Sequence, residues 1–153
     1  MNIKEELDKK EPVPNWLTAI IIANSFQTGT SVWGFKDAND IDLVMHPSHG
    51  IDINTLEPFS VSPYATYEAR VYTIYVHLSG CGDTIFNLIF VKDAVAYEAW
   101  EYTTNAFKIL AREGSTFRAI IGVRKHRIDI FKAMREAYIT WANERNSLIG
   151  GPQ

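Results

Sequence analysis

The chain has 153 residues, 46% of them hydrophobic and 22% charged, a composition that suits a globular domain with a core that needs no disulfide or structural metal. A net charge of −3 gives no reason to expect broad, charge-driven binding of nucleic acid, so any basic site must be local. Cys81 is the only cysteine, which excludes an intramolecular disulfide and fits a reducing cytoplasm.

In chain order, residues 3–11 predict a short charged helix that stops before Pro12 and Pro14. Pro14-Asn15-Trp16 opens a second helix to about Ser25, with Leu17 and Ile21 on one face and Trp16 and Ile20 on another. Its apolar run, Leu17 to Ala23, is too short to cross a bilayer, and Glu5, Glu6 and Asp8 stand where a signal peptide is basic, so no membrane partner is expected. Phe26-Gln27-Thr28 reads as a short strand leading into Gly29-Thr30-Ser31. A single helical turn over residues 31–34 follows, capped by the Ser31 or Thr30 hydroxyl. Asp40 to Met45 is the next strand, ended by Pro47.

Residues 46–66 hold three of the six prolines and two of the four histidines, and read as a long irregular connection in which His46 and His49 are surface residues. Strands at 68–78 and 84–91, joined by the Gly80-Cys81-Gly82 turn, pair as an antiparallel hairpin. Asp93 caps a helix over 94–112 that Gly114 ends. Ser115 or Thr116 opens a last helical region to about Ser147, broken near Gly122 and striped by Ile121, Ile128, Phe131, Tyr138 and Trp141. The expected fold is α+β, a mixed β-sheet backed by helices with a C-terminal helical region. It forms a single domain over 1–153 with flexible ends at 1–12 and 148–153.

The chemistry concentrates in the second strand. Residues i and i+2 of a strand share a face, so Asp40 and Asp42 are held side by side while Ile41, Leu43 and Met45 face the core. Two adjacent carboxylates repel, and a hard cation such as Mg²⁺ relieves them, completing its shell with water and phosphate oxygens. The Gly29-Thr30-Ser31 turn just upstream has amides and hydroxyls to offer those phosphates.

Gly29-Thr30, a spacer, and then Asp40-Ile41-Asp42-Leu43 on a strand resemble the signature of the DNA polymerase beta-type nucleotidyltransferases, above all the small phage-type members. The resemblance covers about Ala23 to Val44 clearly and fades through Val91. It implies a Mg²⁺-dependent transfer of a nucleotidyl group from a nucleoside triphosphate to a hydroxyl on RNA, a protein or a small molecule. Asp40 and Asp42 are then the metal ligands, and Gly29, Thr30 and Ser31 the triphosphate ligands. It also implies a third carboxylate on a neighbouring strand, next to the attacking hydroxyl. The matching segment is Phe86-Asn87-Leu88-Ile89, where an amide replaces the acid; it can ligate through oxygen but cannot act as a base.

Three readings of Asn87 stay open: a neutral ligand in a slower or one-metal enzyme, a role passed to Asp83 or Asp93, or a site that binds without catalysing. The last gives the alternative function, a degenerate nucleotidyltransferase-type protein that binds a nucleotide or inhibits a partner protein. An unrelated α+β protein with coincidental spacing is the remaining alternative. On the last helices Arg124 and Arg127 lead a basic cluster that also holds Arg118, Lys125, His126, Lys132 and Arg135. It offers cations to a triphosphate or an acceptor backbone, or forms a solvated face. Trp33, near the turn, is the aromatic best placed in sequence to stack on a base. Neither the acceptor nor the oligomeric state is legible.

Overall fold

The computed structural model describes residues 2–35, 40–66, 68–78 and 82–150, and the chain forms two compact units, Met1–Ala94 and Val95–Gln153. The Gly80-Cys81 part of the expected turn lies outside the described residues, as do residues 36–39 ahead of Asp40.

The first unit is built on a five-stranded mixed sheet of order β1-β2-β5-β4-β3, where β1 is Ser25–Thr28, β2 Ile41–Met45, β3 Ser60–Ala65, β4 Ala69–Leu78 and β5 Gly82–Val91. Strands β4 and β5 form the expected antiparallel hairpin, and β2 joins β5 in parallel. The helix α1 (Ile3–Asp8) takes its cap from the Asn2 side chain, which accepts from the Lys4 and Glu5 amides. Helix α2 (Asn15–Ala23) starts after Pro14 and lays Leu17 and Ile21 on the sheet. They meet Leu43 and Met45 of β2, Tyr72, Ile74 and Val76 of β4, and Phe86 and Leu88 of β5, alternate residues that all lie on one face.

The expected irregular connection holds more order than its composition predicts. A one-turn helix α4 (Ile53–Leu56) capped by Asp52 runs into a 3-10 turn (Glu57–Phe59) and then into β3. Pro63 concealed this strand. It is tolerated because β3 is an edge strand whose register shifts between Val61 and Tyr64. His46 and His49 brace the start of that segment, each accepting through Nδ1 a backbone amide two residues on, at 3.0 Å from Ser48 and 2.8 Å from Ile51.

The second unit packs α5 (Ala94–Leu110), α6 (Thr116–Ile121) and α7 (Arg124–Gly150) around the aromatic rings of Phe107, Phe117 and Phe131, whose centroids lie 5.1 and 5.2 Å apart from Phe107 outward. Ser115 caps α6 through the Arg118 amide at 3.0 Å, and Gly122 ends it, as expected. The expected stripe is only partly kept: Ile121 and Phe131 are buried, but Ile128 and Trp141 are exposed. The break at Gly122 resets the helical phase, and the buried row of α7 becomes Arg127, Phe131, Arg135 and Ala142. Among the described residues no helix is long and apolar enough to cross a membrane.

Candidate functional site

The sheet face opposite the core of the first unit carries a row of polar side chains in register, one on each of four adjacent strands. Thr28 of β1 stands beside Asp42 of β2, Asp42 beside Asn87 of β5, and Asn87 beside Thr73 of β4. Neighbours of these residues along the strands, Leu43, Phe86, Leu88, Tyr72 and Ile74, point the other way and are buried in the core, which fixes the direction of the row. Thr28 and Thr73 are only 2% and 5% exposed and Asp42 and Asn87 are half-buried, so the row is a polar seam with buried flanks whose groups need partners.

Asn87 is the centre of the seam. Its Nδ2 donates to Asp42 Oδ1 at 2.9 Å and to Asp40 Oδ2 at 3.2 Å, and its Oδ1 accepts from Thr73 Oγ1 at 2.7 Å. Both amide hydrogens are thus given to the carboxylate pair. They offset part of the repulsion between the two aspartates. Asp42 lies within β2 and Asp40 at the bend immediately before it, so both reach the same face as the alternation requires. Burial pushes the Asp42 carboxyl above its ordinary value. The Asn87 hydrogen bond opposes that shift and the Asp40 charge adds to it.

The Gly-Thr-Ser turn lies against this pair. Gly29 has φ 82°, and a β-carbon added to it would come within 2.5 Å of Asp42 Oδ2. Glycine is therefore needed twice over, for a backbone conformation that side chains resist and for the close approach to the carboxylate. Gly29 also replaces the expected hydroxyl cap. It is the N-cap of the one-turn helix α3 (Thr30–Trp33), with no side-chain bond, and its carbonyl accepts from the Val32 and Trp33 amides. The Ser31 hydroxyl instead accepts from Gln27 Nε2 at 2.8 Å. Trp33 is buried, which removes the expected base-stacking role: its ring is spent on packing α3 rather than presented to a ligand.

Gly29, Asp40, Asp42 and Asn87 are thus brought together in the first unit, with Thr30 and Ser31 next in chain. Thr28 and Thr73 are members of the seam that sequence reasoning missed. Arg124 and Arg127 belong to the second unit. Arg124 is exposed, whereas Arg127 is buried and its Nη1 donates to the Ile121 carbonyl at 3.0 Å, closing the end of α6. Arg118 serves α5 in the same way, donating to the Ala111 carbonyl at 2.9 Å. Among the described residues no three His, Cys, Asp or Glu side chains gather as a metal site, because the third position is the amide of Asn87. The donor set suits one hard cation, held by Asp40 and Asp42 and completed by phosphate oxygens and water, and lacks the third acid that a second cation needs. No model of a known protein family matches the chain, and no curated protein matches it.

Proposed function

We propose that the first unit is a nucleoside triphosphate site of the nucleotidyltransferase type, with Asp40 and Asp42 holding one Mg²⁺ and the Gly29-Thr30-Ser31 turn taking the phosphates. The observation that supports this reading is the close approach of Gly29 to the Asp42 carboxylate, which sets the Gly-Thr-Ser turn beside the carboxylate pair. Bound Mg²⁺ would supply charge neutralisation to the triphosphate. Asp40 and Asp42, through the ion they would hold, and the turn amides would orient the triphosphate with a substrate hydroxyl in line with its α-phosphorus. The new P–O bond would replace the bond to pyrophosphate, which leaves, and the hydroxyl proton would pass to solvent. The reading rests on the first unit alone and assigns no role to Arg124 or Arg127. RNA, a protein side chain and a small molecule all remain acceptors consistent with it.

A second reading, nucleotide binding without transfer, is favoured by one specific feature. The Asn87 amide presents its donors to both aspartates and its acceptor to Thr73, so it neither offers a ligand oxygen to the pair nor accepts a proton. Titration calorimetry with Mg²⁺ and ATP, paired with a pyrophosphate-release assay, separates the two. Binding that needs Mg²⁺ and is lost in Asp42→Ala supports the site; binding with pyrophosphate release supports transfer. Equal binding by wild type and Asp42→Ala would refute both.

A further inference from the structure

The second unit carries an exposed aromatic surface that neither its core nor the carboxylate site uses. Tyr102 of α5 and Trp141 of α7 are 56% and 51% exposed, far more than rings of that size need to be in a helical pair. Tyr138 joins them: its ring centroid is 5.2 Å from that of Tyr102, with planes at 32°, and 5.5 Å from that of Trp141, with planes at 57°. The result is a continuous tilted strip of three π-faces crossing from one helix to the other.

Its charge environment is acidic on the α5 side. Glu98 accepts from the Tyr138 hydroxyl at 3.4 Å, and Glu101 follows one residue before Tyr102. Burial first, and then the charge and hydrogen bond of Glu98, hold the Tyr138 phenol above its ordinary value against the opposing charge of Arg145; the charge of Glu101 raises both Tyr138 and Tyr97. On the α7 side the strip already binds a cation, since the Arg145 guanidinium lies 5.5 Å from the Trp141 ring centroid.

We propose that this strip is a docking surface for an arginine-bearing peptide segment of a partner protein. A guanidinium can lie over the exposed rings as that of Arg145 lies over Trp141, and Glu98 and Glu101 supply the opposite charge. The same carboxylates repel phosphates, which disfavours nucleic acid and an anionic membrane despite the stacking surface.

The test uses the full-length protein labelled with ¹⁵N, reading the indole N–H of Trp141 (assigned with Trp141→Phe) against capped arginine–glycine, lysine–glycine and glutamate–glycine repeat peptides and oligothymidylate. The arginine peptide is expected to move the Trp141 signal and to bind more tightly than the lysine peptide. Alanine at Tyr102, read on the Trp141 signal, and alanine at Trp141, read by titration calorimetry of the same peptide, should each weaken binding about fivefold. Phenylalanine at the same positions should retain it. Glu98→Gln with Glu101→Gln, which touches only exposed side chains, should weaken binding at low salt without altering the melt. Unchanged affinity in the alanine or glutamine variants, or an equal Trp141 shift with the glutamate peptide or oligothymidylate, would overturn the proposal.

Discussion

At the scale of single residues, Asn87 decides the character of the carboxylate pair. Its amide donates to Asp40 and Asp42 and is itself held by Thr73, so the two acids are kept together by one side chain. Asn87→Asp replaces both donors with a third acid on the seam. At neutral pH and without metal this is expected to cost about 1–3 kcal/mol, the penalty of buried polar groups left unpaired. The sign of the pH response follows from Asp42. Its carboxyl is raised by burial, against the Asn87 bond and with the Asp40 charge, so over a window above the ordinary carboxylate value the folded state holds a proton that the unfolded state has lost. Stability from this group is full below the ordinary value and is lost as pH rises through the raised one. Asn87→Asp removes the one opposing contribution and widens that window. Urea denaturation at neutral pH and again toward the ordinary carboxylate range should therefore show the Asn87→Asp penalty shrinking on acidification. A penalty of equal size at both ends would mean that the new acid does not share a site with Asp42.

At the scale of elements, the parts set by strand alternation were legible and the parts set by pairing or by helix phase were not. Asp42 between Ile41 and Leu43, and Asn87 between Phe86 and Leu88, announce their faces, because the period of two is local to each strand. Thr73 was hidden because its meaning comes from register: it joins the seam only as the residue equidistant with Asn87 from the hairpin turn. Thr28 was hidden likewise, since its pairing with Asp42 spans the Gly29 turn. β3 was lost to Pro63, and the α7 stripe to the phase reset at Gly122, which buried two arginines where charge predicted exposure. Their long apolar stems make that burial tolerable, and Arg127 also answers a carbonyl at the end of α6. Arg127→Met keeps the stem and deletes the donor, so it is expected to cost about 1–3 kcal/mol. Arg124→Met, on an exposed position, should stay within about 0.5 kcal/mol of wild type. Denaturant midpoints compare the two directly. Equal midpoints would return Arg127 to the solvated cluster that the sequence alone describes.

At the scale of the whole molecule, a ligand at the carboxylate pair would couple its binding to folding through the seam. A ligand bound by the native state and not by the unfolded chain adds RT ln(1 + [L]/Kd), about 2.7 kcal/mol at a hundredfold excess over Kd. In the reading proposed above, Mg²⁺ with ATP relieves the repulsion between Asp40 and Asp42 that the Asn87 amide otherwise moderates. Mg²⁺–ATP should then raise the melting temperature, and ATP with a chelator should not. The increment should fall on acidification through the raised Asp42 value, because the cation competes there with a proton. Asp42→Asn without metal should melt no lower than wild type at neutral pH, since it removes a buried charge while keeping the side-chain volume, and it should lose the Mg²⁺–ATP increment entirely. These two outcomes on one variant separate a ligand site from a structural seam. A seam with no ligand leaves the wild-type melt unmoved by Mg²⁺–ATP at every pH. A site elsewhere in the chain gives Asp42→Asn the full wild-type increment.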